Sequence, residues 1–155
     1  FIEGANNKKI DANKANEIFD QISAFAGYGF NKSHAAAYAL IAYQTAWIKC
    51  NFPHEFFAAM MTIEYNNTDK LSVFVNDLRR LGISIFPPCI NKSGSEFLIE
   101  QNEQKLSLRY SLSALKNVGN EAIKKIVNIR NTLGQFSNID DFLKKIPYSL
   151  LTKKL

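Results

Sequence analysis

The chain has 155 residues, 46% hydrophobic and 21% charged, with 12 Phe and 6 Tyr. That balance excludes a disordered or low-complexity protein and allows a buried core, as one domain or as one domain with a small appendage. A formal net charge of +5 permits an acidic partner such as nucleic acid without demanding one.

Cys50 and Cys89 lie far apart, with no second thiol near either, so no zinc-ligand spacing exists and a reducing compartment is the natural reading. The opening FIEGANNKK has no initiator Met and no apolar signal region, and no apolar run is long enough to span a bilayer, so no membrane role is expected. The closing YSLLTKKL stops just after a new apolar pattern begins. Both ends read as cut, and the chain as an internal piece of something longer.

In chain order, residues 10–26 place Ile10, Ala15, Ile18, Phe19, Ile22, Phe25 and Ala26 at three- and four-residue spacings, which predicts an amphipathic helix. Gly27 and Gly29 in AGYGFN break it. Ser33 is placed to cap a second helix, HAAAYALIAYQTAWIKC, which is apolar around most of its surface and is expected to be central. Pro53 starts a third helix, PHEFFAAMMTIEY, interrupted by Asn66 and Asn67. Thr68 or Asp69 opens a fourth that ends near Arg80, with Gly82 just past it.

The texture then changes. ISIFPP reads as a short strand ended by Pro87 and Pro88, followed by the polar turn NKSGSE, and FLIEQ and KLSLRY form a hairpin around NEQ. From Ser111 helical periodicity returns, with Leu112, Leu115 and Val118, then Ala122, Ile123, Ile126 and Ile129. The predicted fold is mainly α: a helical portion over 1–82, a connecting β-hairpin segment over 83–110, and a helix-hairpin-helix region over 111–155.

Two segments carry candidate chemistry. In GYGFNKSHAAAY, residues 27–38, two glycines allow a tight backbone path that delivers Lys32, Ser33 and His34 to a helix start. Free backbone N–H groups and a partial positive charge suit an anionic phosphate there, and Lys32 adds a mobile cation. Tyr38 follows His34 by four residues on the same helical face, where its ring can stack on a base or sugar. A capped core helix with a solvated lysine and a tucked-in histidine explains the same residues.

The second segment is LSALKNVGNEAIKKIVNIR, residues 112–130. An apolar helical turn, a hairpin around Val118, Gly119 and Asn120, and a helix with Ala122, Ile123 and Ile126 facing back make a helix-hairpin-helix pattern. Gly119 lets the backbone approach a DNA phosphate, the amides that follow can donate to it, and Lys116, Asn117, Lys124 and Lys125 flank the approach. An ordinary helical hairpin with a solvated lysine face, or a protein contact, is the competing reading.

Asp140 and Asp141 precede an apolar stretch, where acidic residues favour a helix start. His54 reads as a surface residue, and Arg79 and Arg80 end a helix where cations suit the dipole. Trp47, Phe56, Phe57, Met60 and Met61 read as core. With no Ser-His-Asp set, Walker loop or zinc cluster, no catalytic residue and no metal ligand is assigned.

Taken together, FAGYGFNKSHAAAYALIAYQTAWIKCNFPHEFFAAMMT (25–62) resembles the fingers signature of the family C bacterial DNA polymerases, the replicative DNA polymerase III alpha subunits. The resemblance runs on through DKLSVFVNDLRRLGISIFPPCINKS (69–93), LKNVGNEAIKKI and GQFSNIDDF, so it covers almost the whole chain. It implies that 1–82 is a fingers portion facing the incoming deoxynucleoside triphosphate, with Lys32 near the triphosphate, Ser33 and His34 near the sugar, and Tyr38 against the base. It also implies that the second segment holds duplex DNA behind the active site. The family's nucleotidyl transfer uses two metal ions held by palm aspartates, which have no match here, so Mg2+ is expected in a missing palm and the chain alone is expected to be inactive. The implied partners are a DNA primer-template and a dNTP and, for the parent, the sliding clamp and other replisome subunits, in the bacterial cytoplasm at the nucleoid. A non-catalytic helix-hairpin-helix scaffold and a helical interaction domain with no nucleic-acid partner are the alternatives. Cys89 stands where the family usually has Asp in a Pro-Pro-Asp-Ile-Asn run, which puts any capping role of that aspartate in doubt.

Overall fold

A computed structural model describes residues 1–27, 31–102 and 105–151. It contains α1 (Ile2–Asn7), α2 (Ala12–Gly27), α3 (Lys32–Asn51), α4 (Pro53–Ile63), α5 (Thr68–Arg80), β1 (Ile85–Phe86), β2 (Leu98–Asn102), β3 (Lys105–Arg109), α6 (Asn120–Leu133), α7 (Ile139–Lys145) and a 3-10 turn, Tyr148–Leu150. The fold is mainly α with one small sheet, as the periodicities imply. It divides into two compact units, Phe1–Ala46 and Trp47–Leu155.

In the first unit, α1 is a short helix that the sequence pattern did not indicate. Asp11 starts α2, its Oδ1 accepting from the Lys14 amide at 3.0 Å, so the helix begins after Ile10 rather than at it. Ala5 and Ala15 are the buried hydrophobic residues described in this unit, and the Phe1 and Phe19 rings lie 5.7 Å apart. The expectation that α3 is central is not met: none of its residues is buried, and Tyr38, Leu40, Ile41 and Tyr43 are all exposed. Burying a helix that is apolar all round takes neighbours all round, and among the described residues this unit offers only α1 and α2 beside it.

In the second unit, proline, asparagine and glycine set the helix ends. Pro53 occupies the first turn of α4. The Asn67 side chain accepts from the Lys70 amide at 3.1 Å to cap α5, and Gly82, at φ +69°, turns the chain out of that helix. The sheet order is β1-β3-β2, with β1 parallel to β3 and β2 antiparallel to it, pairing Leu98 with Arg109 and Asn102 with Lys105. The turn of that hairpin, at Glu103 and Gln104, lies outside the described residues.

Two hydrophobic clusters fill this unit. Phe57, Met61, Leu71, Leu78, Ile83, Phe97 and Leu108 join α4 and α5 to the sheet. Leu112, Ile123, Ile126, Phe136 and Ile146 form the second, around α6. Phe57 and Met61 are therefore core as expected, whereas Trp47 is half exposed, with its ring 5.8 Å from that of Phe52.

Arg109 ends β3 almost fully buried. Its Nε donates to Glu100 Oε2 at 2.7 Å, its Nη1 donates to the Pro87 carbonyl at 2.9 Å, and its guanidinium lies 4.6 Å from the Phe86 ring centre. The Arg109 hydrogen bond, aided by the nearby Lys92 charge, holds the Glu100 carboxyl below its usual range. A depressed folded-state pKa contributes stability that is complete above the unfolded carboxylate value, about 4.3, and is lost as pH falls through the folded value. In thermal melts from pH 7 downward, the melting-temperature gap between the wild type and Glu100→Gln should therefore hold above about pH 5 and close at lower pH. A gap that stays constant to pH 3 would sink this assignment.

Candidate nucleotide and nucleic-acid sites

The first candidate site lies at the start of α3, in the first unit. Lys32 is its first residue and is exposed. The cap is Asn31 rather than Ser33: Asn31 Oδ1 accepts from the Ser33 amide at 3.0 Å and from the Ser33 hydroxyl at 2.6 Å. Two cap-forming residues stand two positions apart here, and the earlier one is outside the helix, where a cap must be. The His34 and Tyr38 rings sit 4.2 Å apart and tilted by 46°, so the four-residue spacing does bring them together, with Tyr38 still 59% exposed. Tyr28, Gly29 and Phe30, the middle of the expected glycine loop, lie outside the described residues.

The second candidate site is the hairpin before α6. Residues 112–118 are not an α-helix but two successive tight turns, in which the Leu115 amide donates to the Leu112 carbonyl and the Val118 amide to the Leu115 carbonyl, each at 3.2 Å. Leu112, Leu115 and Val118 are spaced by three, a period that fits tight turns as well as helix. The hairpin's positive φ falls on Asn117 (+67°), while Gly119 is the N-cap of α6 at φ −77° and ψ 130°, a conformation open to any residue.

Three features shape what the hairpin can hold. The first turn of α6 has no side-chain cap, so its leading amides keep donor capacity that no side chain takes up. A Cβ added at Gly119 meets nothing within 4 Å, so neither backbone strain nor internal packing calls for glycine there. Lys116, Asn117 and Gly119 are exposed, Val118 packs against the second cluster, and the half-buried Asn120 accepts from the Ser113 hydroxyl at 2.8 Å. Lys124 is engaged with Glu121 at 2.9 Å, which lowers the carboxyl pKa and raises that of the lysine. Lys125 stands at a cleft of about 320 Å³ that it lines with Asn128, Ile129, Pro147, Ser149 and Leu150, between α6 and the 3-10 turn.

Asn117 tolerates its left-handed conformation better than most residues, but glycine has no Cβ to strain. Asn117→Gly should raise stability by about 0.5 kcal/mol in urea unfolding, the gain being trimmed by glycine's extra freedom when unfolded. A loss of stability instead would mean that the Asn117 side chain anchors the turn.

Sequence reasoning missed the residues that tie this hairpin to the rest of the unit. Arg130, on α6, donates through Nη1 to the carbonyls of Ile90 and Ser93, each at 2.7 Å. Asn91 pairs reciprocally with the Phe136 backbone, donating through Nδ2 to its carbonyl and accepting from its amide, both at 2.8 Å. At Cys89 the loop is closed by Ser93, whose hydroxyl accepts from the Cys89 amide at 2.9 Å and whose own amide donates to the Cys89 carbonyl at 2.7 Å. No side chain at position 89 is needed for that closure. Asp141 serves the start of α7, accepting from the Ser137 amide at 3.0 Å and from Lys145 Nζ at 2.9 Å. Among the described residues no group of His, Cys, Asp and Glu has the clustering to hold a metal ion, and no helix is long and apolar enough to cross a membrane.

A family model described as a helix-hairpin-helix motif matches residues 82–155, so the C-terminal half carries a helix-hairpin-helix module. Nearly the whole chain is similar to one segment of DNA polymerase III alpha subunits. It is 47% identical over 154 residues to DNA polymerase III subunit alpha of Caulobacter vibrioides, covering 99% of this chain and 13% of that protein. It is 42% identical over 154 residues to the Thermus aquaticus subunit, covering 99% and 12%. It is 46% identical over 146 residues to that of Neisseria meningitidis serogroup A, covering 94% and 12%. The chain belongs to the family of bacterial DNA polymerase III alpha subunits. It spans 12–13% of the length of these relatives.

Proposed function

We propose that this chain is the part of a replicative DNA-directed DNA polymerase that positions the incoming deoxynucleoside triphosphate and grips the backbone of duplex DNA. The observation that carries the DNA half is the Gly119 hairpin. An uncapped helix start presents backbone donors, and a glycine that the chain itself does not require leaves room for a phosphate. Lys116 and Lys125 add attraction, whereas Lys124 is largely spent on neutralising Glu121. The nucleotide half rests on family membership and on the exposed start of α3. There Lys32 meets the triphosphate, Ser33 and His34 lie by the sugar, and Tyr38, tilted against the His34 ring, offers its exposed side to the base.

By role, 1–82 is the fingers portion, 83–110 the connecting β-hairpin segment, and 111–155 the DNA-gripping region with its second motif begun near Ser149. In this reading Mg2+ belongs to a palm elsewhere in the parent, and this chain alone has no polymerase activity. The parent works on a primer-template with the sliding clamp and other replisome subunits, in the bacterial cytoplasm at the nucleoid.

The test is fluorescence anisotropy of a labelled primer-template duplex against the chain across a salt series. Binding is expected to weaken with a log–log slope of about −2, since two lysines are free to displace counterions. Adding a matching dNTP should tighten the wild type more than Lys32→Ala or His34→Ala. DNA binding with no nucleotide effect in any variant would favour a helix-hairpin-helix scaffold without a nucleotide role. No binding from a folded sample would remove the DNA assignment of residues 116–125.

A further inference from the structure

The loop between the two hydrophobic clusters of Trp47–Leu155 is held from both sides by side chains aimed at its backbone. From the sheet, Arg109 donates to the Pro87 carbonyl at 2.9 Å. From α6, Arg130 bridges the Ile90 and Ser93 carbonyls at 2.7 Å each. The Asn91 amide group forms its two 2.8 Å bonds with the backbone of Phe136, a member of the second cluster. Hydrophobic contact is non-directional and lets two cores slide, whereas a guanidinium nitrogen shared between two carbonyls and a doubly bonded amide constrain angle as well as distance.

We infer that Asn91 and Arg130 are positioning residues that hold α6, and with it the Gly119 hairpin, at one attitude to the α4–α5–sheet core. The inference rests on the reading of that hairpin as a grip on duplex DNA, because its attitude then decides where the duplex lies relative to the helical core. Arg130 sits eleven residues along from Gly119 in the same rigid helix, so an angle set at Arg130 is an angle set at the hairpin. Neither residue touches the DNA-facing surface; both act through α6 and Phe136.

The experiment is a measurement of residual dipolar couplings on the ¹⁵N-labelled full chain, comparing amides of α4 and α5 with those of α6 and α7. In the wild type, both sets should fit one alignment tensor. In the double variant Asn91→Ala/Arg130→Gln each cluster should keep its dispersed amide spectrum, while the two sets require separate tensors, that of α6 and α7 about twofold weaker. A role in local stability alone would lower the melting temperature without separating the tensors. One shared tensor in the folded double variant overturns the inference, as do two tensors in the wild type. If the double variant does not fold, the single variants are read by the same criterion, and failure of all three to fold also overturns it. A duplex titration on the wild-type sample keeps the two readings apart: absence of binding removes the DNA grip, while the tensors alone decide the coupling.

Discussion

Gly119→Asp should raise the duplex Kd of this chain at least about tenfold at low salt, equivalent to about 1.4 kcal/mol, without unfolding it. Two effects act together. A carboxylate at an N-cap accepts from the amides of the following turn, the same donors a phosphate would use, and it puts like charge where the phosphate must come. Stability should stay level or rise by a few tenths of a kcal/mol, because the cap position has no side-chain hydrogen bond now and aspartate caps slightly better than glycine. Binding and stability thus move in opposite directions, which misfolding cannot imitate. Gly119→Ala separates the two causes, since its methyl group meets nothing in the protein and carries no charge. If alanine weakens binding as well, the phosphate needs the space; if only aspartate does, charge and donor capture dominate. Unchanged affinity in both variants would mean that DNA, if bound, lies elsewhere.

Much of this arrangement was legible because it is local. Pro53, the Asn66-Asn67 break and Gly82 mark the ends of α4 and α5 through rules that act within one turn. The β2–β3 pairing follows from two alternating runs flanking a polar turn. The errors were also local in origin. Leu112, Leu115 and Val118 repeat every three residues, which does not distinguish a helix from two consecutive tight turns, and Asn31 and Ser33 both have the chemistry of a cap. Arg130 and Asn91 gave no signal at all, because their partners lie 37 to 45 residues away and are backbone atoms, which leave no mark on residue type. The nucleotide-facing roles of Lys32, Ser33, His34 and Tyr38 came from resemblance, and helix geometry alone assigns them no ligand.

Phe57→Ala should cost about 3–5 kcal/mol, a large part of the total if the stability of Trp47–Leu155 lies in the usual range of about 5–15 kcal/mol. Phe57 has no exposed surface and packs edge-on against Phe56 and Phe74, at 5.4 and 6.2 Å between ring centres. Lys49 Nζ lies over the ring, 5.2 Å from its centre, and pairs with Asp77 at 3.0 Å, so a charged side chain also helps to cover the ring. Truncation would leave a cavity between α4, α5 and the sheet that those neighbours are too constrained to fill. Urea unfolding should show a lower midpoint at unchanged slope, while Phe57→Leu, which keeps most of the volume, should lose about 1–1.5 kcal/mol. Phe25→Ala is the informative contrast: that ring is 65% exposed, so its loss should fall within about 0.5 kcal/mol. Both phenylalanines sit at helical spacing among apolar neighbours, and pattern alone ranks them alike. What separates them is the supply of opposing surface: α4 has α5 and a sheet to pack on, whereas α2 does not have enough around it to cover Phe25. Equal losses at the two positions would mean that the α2 face is covered in solution by something this chain supplies or recruits.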